Sequence, residues 1–152
     1  MEERWRGEFI HRVLYLLGQR EDDVGKRLED LIQRVEHETN SRYAPEEMKR
    51  LLLEFLGHEE VKPCFEPKPG RVMKLEQEFS DSKGNLFRMD RVVIDEDRVT
   101  VMDYKTGHEK KFEGRYISQL KNYMRILKEV YPGKKIEGMI AYVDIKEIVK
   151  IM

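Results

Sequence analysis

The sequence is poor in cysteine and has no long apolar run; Cys64 is the single cysteine among 152 residues. One thiol cannot form an internal disulfide, and it cannot supply a four-cysteine zinc or iron–sulfur site. No apolar stretch approaches the roughly 20 residues that a membrane-spanning helix needs, and no secretory leader is recognisable. We therefore expect a cytoplasmic protein with no membrane attachment and no iron–sulfur cluster.

The sequence also lacks an excess of charge of either sign, since 29 lysines and arginines are balanced by 30 aspartates and glutamates. The formal net charge of −1 gives no overall attraction to nucleic acid, so such binding would need a local basic face. The chain has no internal repeat and no low-complexity tract. Its length suits a single domain, residues 1–152, with a core of its own.

Residues 1–60 predict a helical portion. Apolar residues at helical spacing predict three helices there, at Arg6–Leu17, Glu21–His37 and Pro45–Leu56. Three of the five prolines then fall in Pro63–Pro69, which indicates a connector rather than a helix or strand.

Residues 71–152 predict the sheet. A polar loop is expected at Thr106–Lys111 and a long helix at Glu113–Tyr131. Runs rich in β-branched residues predict five strands: Arg71–Phe79, Arg88–Ile94, Arg98–Lys105, Ile136–Val143 and Glu147–Ile151. Helices first, then three antiparallel strands, a crossover helix and a further strand, favour an α/β fold. That fold is a mixed central sheet flanked by helices, with a helical N-terminal part.

The second and third predicted strands form a hairpin that carries two aspartates. If Ile94 lies opposite Val99, then Asp90 lies opposite Asp103, because side chains on one face recur every second residue. Facing carboxylates are unfavourable unless a cation lies between them, and a divalent metal is the simplest candidate. A one-residue change of register would separate the pair, and two solvated surface aspartates are the alternative interpretation.

Lys105 projects to the same side as Asp103, two residues further along the strand. Its ammonium could stabilise negative charge on a phosphate, or help to orient or deprotonate a nucleophile. An ordinary strand-end lysine that pairs with a neighbouring acid is the alternative.

Four sequence motifs extend this picture to nearly the whole chain. Arg6-Gly7 is followed by His11 and Leu14; the other three motifs are FRMDRVV at 87–93, VMDYKTG at 101–107 and YISQLKNY at 116–123. In this order they resemble the motifs of the PD-(D/E)XK nucleases. More specifically, they resemble the RecB-type nuclease domain at the C-terminus of helicase–nucleases of the AddA and RecB kind.

The resemblance implies a restriction-endonuclease-like fold and a metal-dependent DNA nuclease. It implies that His11, Asp90, Asp103 and the backbone carbonyl of Tyr104 bind Mg²⁺ or Mn²⁺, with Lys105 as the catalytic lysine. The expected partners are DNA, single-stranded or end-bearing, and a helicase motor in the same parent chain or complex that serves DNA repair and recombination. The chain contains no Walker motif, so that motor would lie elsewhere.

Further residues fit the same interpretation. Gln119 and Tyr123 share a helix edge at i and i+4 and could both reach the site, although Tyr123 also belongs to an apolar stripe. Arg115 and Lys121 could contact the phosphate backbone or form a solvated charged face. Glu76 occupies a position where the family often carries an acid, and Glu78 is a rival for that role. Phe87 stands where the family often has glycine.

Two other classes of function remain open at this stage. The chain could be a catalytically silent DNA-binding or docking domain of the same fold, which would bind DNA without cutting it. It could also be a structural partner domain without a nucleic-acid role, which would bind no metal.

Overall fold

The structure, a computed structural model, describes residues 2–40 and 45–152. Three helices come first: α1 (Glu2–Leu17), α2 (Val24–Thr39) and α3 (Pro45–Gly57). The sheet follows, with α4 (Glu113–Val130) between its third and fourth strands; the strands are β1 (Val72–Ser80), β2 (Leu86–Ile94), β3 (Arg98–Lys105), β4 (Lys135–Tyr142) and β5 (Glu147–Ile151). No helix in these ranges is long and apolar enough to cross a membrane.

The five strands lie in chain order across one mixed sheet. β1, β2 and β3 pair antiparallel, β3 and β4 pair parallel, and β5 returns antiparallel to β4. Parallel neighbours need a crossover connection, which α4 supplies. The predicted mixed sheet with helices on its faces is therefore confirmed, and the architecture is that of a restriction-endonuclease-like α/β fold.

Each face of the sheet buries a separate apolar cluster. Helices α1 to α3 pack on the face that carries Val93, Met102 and Tyr104. Helix α4 packs on the other face, which carries Val92 and Val101. Because side chains alternate along a strand, Asp90 and Asp103 belong to the face that α4 covers, while their neighbours Arg91 and Tyr104 belong to the opposite face.

Three local expectations differ from the structure. The predicted connector Pro63–Pro69 begins inside a short 3₁₀ helix, Lys62–Cys64. The segment Thr106–Lys111, expected as a loop, contains a 3₁₀ helix at Gly107–Phe112 that begins with a capping box. The side chain of Glu109 accepts hydrogen bonds from the backbone N–H and hydroxyl of Thr106, at 3.0 and 3.2 Å. That Thr-x-x-Glu spacing was the available sequence signal. Helix α2 begins at Val24 rather than Glu21, after Asp23 adopts the left-handed conformation at φ 59°.

Candidate active site

The hairpin of β2 and β3 has the predicted register. Ile94 pairs with Val99, Val92 with Val101 and Arg91 with Met102, and Asp90 and Asp103 follow directly after the last pair. The backbone N–H of Tyr104 donates to Asp90 Oδ2 at 2.8 Å. The side chain of Asp90 therefore accepts a backbone donor of β3 at the point where the regular strand pairing ends.

The two carboxyl groups lie within hydrogen-bonding distance of one another, and their environments separate their pKa values. Burial, followed by the charge of Asp90, raises the pKa of Asp103 to about 7. Burial also acts to raise the pKa of Asp90, but the hydrogen bond and charge of His11, together with the hydrogen bonds of Asp103 and the Tyr104 backbone, lower it below its ordinary value. Asp90 is therefore the carboxyl group of the pair that ionises readily, and Asp103 is the one that is harder to ionise.

Helix α1 brings His11 to this pair. His11 Nδ1 lies 3.4 Å from Asp90 Oδ1, and His11 Nε2 lies 3.1 Å from the carbonyl oxygen of Tyr104. Burial acts to lower the pKa of His11, but Asp90, Asp103 and the Tyr104 carbonyl together raise it above its ordinary value. The fold thus brings together the imidazole, both carboxyl groups and the carbonyl that the family resemblance implies as ligands.

Lys105 is held between a carboxylate and an aromatic ring. Its Nζ lies 3.2 Å from Asp103 Oδ2 and 4.4 Å from the centroid of the Tyr116 ring. Burial acts to lower the pKa of Lys105, but the charge and hydrogen bond of Asp103, together with the charges of Glu109 and Asp90, raise it above its ordinary value. Sequence reasoning named Tyr116 as the first residue of the YISQLKNY motif but missed this contact; the recurrence of Tyr116 and Tyr123 on one helix was the available signal.

Glu76 lies opposite Asp90, in the gap between the Leu75–Arg91 and Gln77–Met89 pairs of β1 and β2. Its backbone has φ 45°, a conformation that non-glycine residues rarely adopt. Its carboxylate contacts Arg88 at 2.6 Å and lines the cleft beside His11. Backbone strain of this kind clusters at functional sites, whereas the rival Glu78 is exposed in regular strand geometry.

The predicted DNA-contacting residues lie on α4. Tyr123 is buried beside the ring of Phe87, and its hydroxyl bonds with the side chain of the exposed Gln119. Burial, followed by the charges of the two aspartates, raises the pKa of Tyr123, so its hydroxyl lies near the carboxyl pair. Arg115 and Lys121 are exposed, and within the described ranges no contact joins either to the aspartates.

An open cleft of about 710 Å³ borders His11. α1 forms one wall, and the 3₁₀ helix after β3 contributes to another. Sequence reasoning missed most of its lining, although helical spacing from His11 along α1 could have indicated it; the lining residues are Arg4, Gly7, Glu8, His11, Arg12, Glu76, Thr106, His108 and Glu109.

A buried guanidinium positions Tyr104. Arg91 is fully buried; its Nε donates to the Tyr104 hydroxyl at 2.7 Å, and its other nitrogens reach the carbonyls of Cys64 and Gly18. Its Cζ lies 3.6 Å from the centroid of the Phe65 ring. The guanidinium of Arg91 therefore holds Tyr104, whose backbone contacts the site, from the opposite face of the sheet. Arg91 lies two residues before the apolar Val93, so both side chains belong to the same buried face of the sheet. Sequence reasoning did not use this signal.

The donor set fits a divalent metal, although its atoms contact each other in this structure. Across residues 2–40 and 45–152, no three His, Cys, Asp or Glu side chains are arranged so as to hold a metal ion; His11 bonds to Asp90, and Lys105 pairs with Asp103. Two carboxylates, one carbonyl oxygen and one imidazole are nonetheless ligands suited to Mg²⁺ or Mn²⁺.

A mixed sheet whose central hairpin presents two carboxyl groups and a lysine beside an open cleft defines a nuclease-like α/β protein. The sequence profile of the PD-(D/E)XK nuclease superfamily matches residues 1–151, and the chain belongs to this superfamily. Its members are generally nucleases that act on DNA and typically use divalent metals. No curated protein sequence matches the chain.

Proposed function

We propose that the protein is a Mg²⁺- or Mn²⁺-dependent deoxyribonuclease of the RecB/AddA type, which hydrolyses phosphodiester bonds as a module of a repair and recombination helicase–nuclease. One observation carries the proposal: on one hairpin Asp103 contacts both Asp90 and Lys105, and His11, which lines an open cleft, contacts Asp90.

In this proposal His11, Asp90, Asp103 and the Tyr104 carbonyl hold the metal. When bound, a divalent metal activates water and neutralises charge on the phosphate. The chain's own residues contribute position and charge. Lys105, fixed by Asp103 and the Tyr116 ring, presents an ammonium that stabilises the negative charge developing on the phosphate.

The strand would approach along α4. Gln119 and Tyr123 form an edge next to the carboxyl pair, and the exposed cations Arg115 and Lys121 would contact phosphates without reading sequence. The helicase motor that feeds such a module would be supplied by the parent chain or complex.

A catalytically silent DNA-binding or docking domain is the second candidate, and one observation favours it. The acids of the site are paired with His11 and Lys105, so charge is already partly compensated without a metal. Such a domain would bind DNA and leave it intact with Mg²⁺ or Mn²⁺.

Cleavage of a labelled DNA by the purified protein, with Mg²⁺ and with Mn²⁺, tests the proposal. We expect Asp103→Ala and Lys105→Ala to lower the rate by on the order of 10²-fold or more, because each removes a group that acts directly at the phosphate or its metal. Asp97→Asn and Lys83→Ala change the same residue types in the exposed β2–β3 and β1–β2 turns and should cut like the parent.

Two results would contradict the proposal in different ways. If the parent cuts and both site variants cut equally well, the site assignment is wrong. If the parent binds DNA but never cuts with either metal, the silent-domain interpretation is correct.

A further inference from the structure

Phe112 is an exposed aromatic residue between two cations. It is 43% exposed, and its ring centroid lies 5.4 Å from Lys111 Nζ and 5.3 Å from Arg115 Cζ. In the described part of the chain, neither cation forms an ion pair with a carboxylate, whereas the adjacent Lys110 pairs with Glu147. An apolar ring and two uncompensated positive charges are therefore presented together to solvent.

This surface adjoins the candidate active site. Phe112 ends the 3₁₀ helix whose earlier residues line the cleft, and it directly precedes α4. Tyr116, which contacts Lys105, follows one helical turn later and lies on the same side of the helix. Four residues advance about 6 Å along the helix axis, a length that spans roughly two nucleotides of a stacked strand. A strand with a phosphate at Lys105 would thus pass Phe112.

The chemistry of this surface suits an unpaired nucleobase. Proteins that bind single strands combine positive charge with aromatic side chains on which bases stack. An exposed cation–π contact is weaker than base–aromatic stacking, so an incoming base can displace either cation from the ring. The displaced ammonium or guanidinium then lies beside the flanking phosphates. A protein partner would need an apolar, acidic surface here, and phosphate supplies the complementary charge directly.

We propose that Phe112 is a stacking site for an unpaired base of the DNA substrate, with Lys111 and Arg115 contacting the adjacent phosphates. This proposal rests on the proposed nuclease function and specifies its substrate: the strand held at the site is single-stranded, or locally unpaired at a duplex end. In a closed duplex the faces of the bases are stacked on their neighbours and cannot reach the ring.

Binding of a fluorescent oligonucleotide in EDTA, where the DNA stays intact, tests this inference on the full chain. We expect Phe112→Ala to weaken binding of the single strand by about 5- to 100-fold, the range for loss of one stacked base, and Phe112→Trp to retain it. Val130→Ala removes an exposed apolar side chain at the far end of α4 and should bind like the parent. A covalently closed circular duplex, which has no end to unpair, should bind all four proteins alike.

The outcomes separate this inference from the proposed function. The inference is overturned if Phe112→Ala binds the single strand as tightly as the parent, or if its duplex binding falls equally. If the parent nevertheless cuts DNA with Mg²⁺, the nuclease function stands alone. A parent that neither cuts nor binds either form of DNA refutes both. Circular dichroism of each variant checks that loss of binding does not reflect unfolding.

Discussion

At the scale of residues, the site depends on groups that carry charge in buried surroundings. Tyr104 contributes its backbone N–H to Asp90 and its carbonyl to His11, while its side chain points to the other face of the sheet, where Arg91 holds the hydroxyl. Burial raises the pKa of the Tyr104 phenol to about 12, so the group stays neutral. Arg91 is thus the positioning residue behind the hairpin.

We expect Arg91→Met to destabilise the protein by about 3 kcal/mol, because the Tyr104 hydroxyl and two backbone carbonyls would lose their buried donor. Denaturant unfolding measures the change. Arg88→Met, in the same strand but exposed and paired only with Glu76, should cost less than about 1 kcal/mol. Equal losses for the two variants would show that Arg91 has no special role.

An ion pair at the turn of the β2–β3 hairpin makes stability depend on pH. The guanidinium of Arg71 binds both oxygens of Asp95 at 2.7 and 2.9 Å and holds the pKa of that carboxyl below its usual range. A carboxyl whose pKa is depressed in the folded state stabilises the protein above its unfolded pKa of about 3.9 and loses that contribution as pH falls through the lower folded value.

Asp95→Asn should therefore lower the free energy of unfolding by about 2 kcal/mol at pH 7, and the difference from the parent should shrink below about pH 4. Urea unfolding at a series of pH values measures both. Asp97→Asn, in the same turn and without an ion pair among the described residues, provides the control. A difference for Asp95→Asn that stays constant down to pH 2 would contradict the assignment.

At the scale of elements, the distance between α4 and the sheet places Tyr116 and Tyr123 near the hairpin. Gly138 on β4 permits that distance, because a Cβ there would lie 2.7 Å from Met124 Sδ and 3.0 Å from Leu120 Cγ. Gly114, at the start of α4, has no atom within 4 Å of the corresponding position. Close packing of α4 on the sheet therefore requires a glycine at position 138, whereas position 114 has room for a side chain.

Gly138→Ala should cost about 1–3 kcal/mol through overpacking and should lower DNA cleavage by shifting α4. Gly114→Ala should leave stability unchanged or slightly increased, since alanine is the better helix former. Thermal unfolding and cleavage assays on the two variants check this. If Gly138→Ala and Gly114→Ala have the same stability and the same cleavage rate, overpacking at position 138 is excluded.

At the scale of the whole molecule, a bound metal should couple the hairpin to α1. If the metal binds only the folded state, a free concentration ten times its dissociation constant adds about 1.4 kcal/mol to stability. For a chain of this size that raises Tm by about 3–5 °C. We expect this shift with Mg²⁺ or Mn²⁺ in the parent, and a much smaller one in Asp103→Asn and in His11→Ala. Thermal melts that are identical with and without metal would contradict the ligand set.

Sequence predicted the fold well where patterns are periodic. The helices α1 to α4 and all five strands were found within a few residues, because apolar spacing of 3.6 or 2 marks which face is buried. The hairpin register also followed from sequence, since a slip of one residue would expose Val92 and Val101. The six-residue 3₁₀ helix after β3 was missed because it is too short to show an apolar periodicity; only its capping box marks it.

Sequence predicted the residues of the hairpin that form the site. It predicted less well the contacts that these residues make with other elements. Asp90, Asp103 and Lys105 come from one hairpin, so local pattern places them together. His11, Glu76 and Tyr116 come from three other elements, and their approach depends on how those elements pack. No local pattern reports that Lys105 lies on the Tyr116 ring, or that Glu76 adopts a left-handed backbone opposite Asp90.

By itself the sequence determined the order of elements, the mixed sheet and the pair of facing carboxyl groups, because these depend on spacing along the chain. Only the tertiary structure decided that His11 reaches Asp90, that Arg91 supports Tyr104 from the opposite face, and that Phe112 is exposed between the cations of Lys111 and Arg115. These contacts join residues of different elements or depend on what remains uncovered after packing. The hairpin is thus fixed by local pattern, and its surroundings are fixed by the fold.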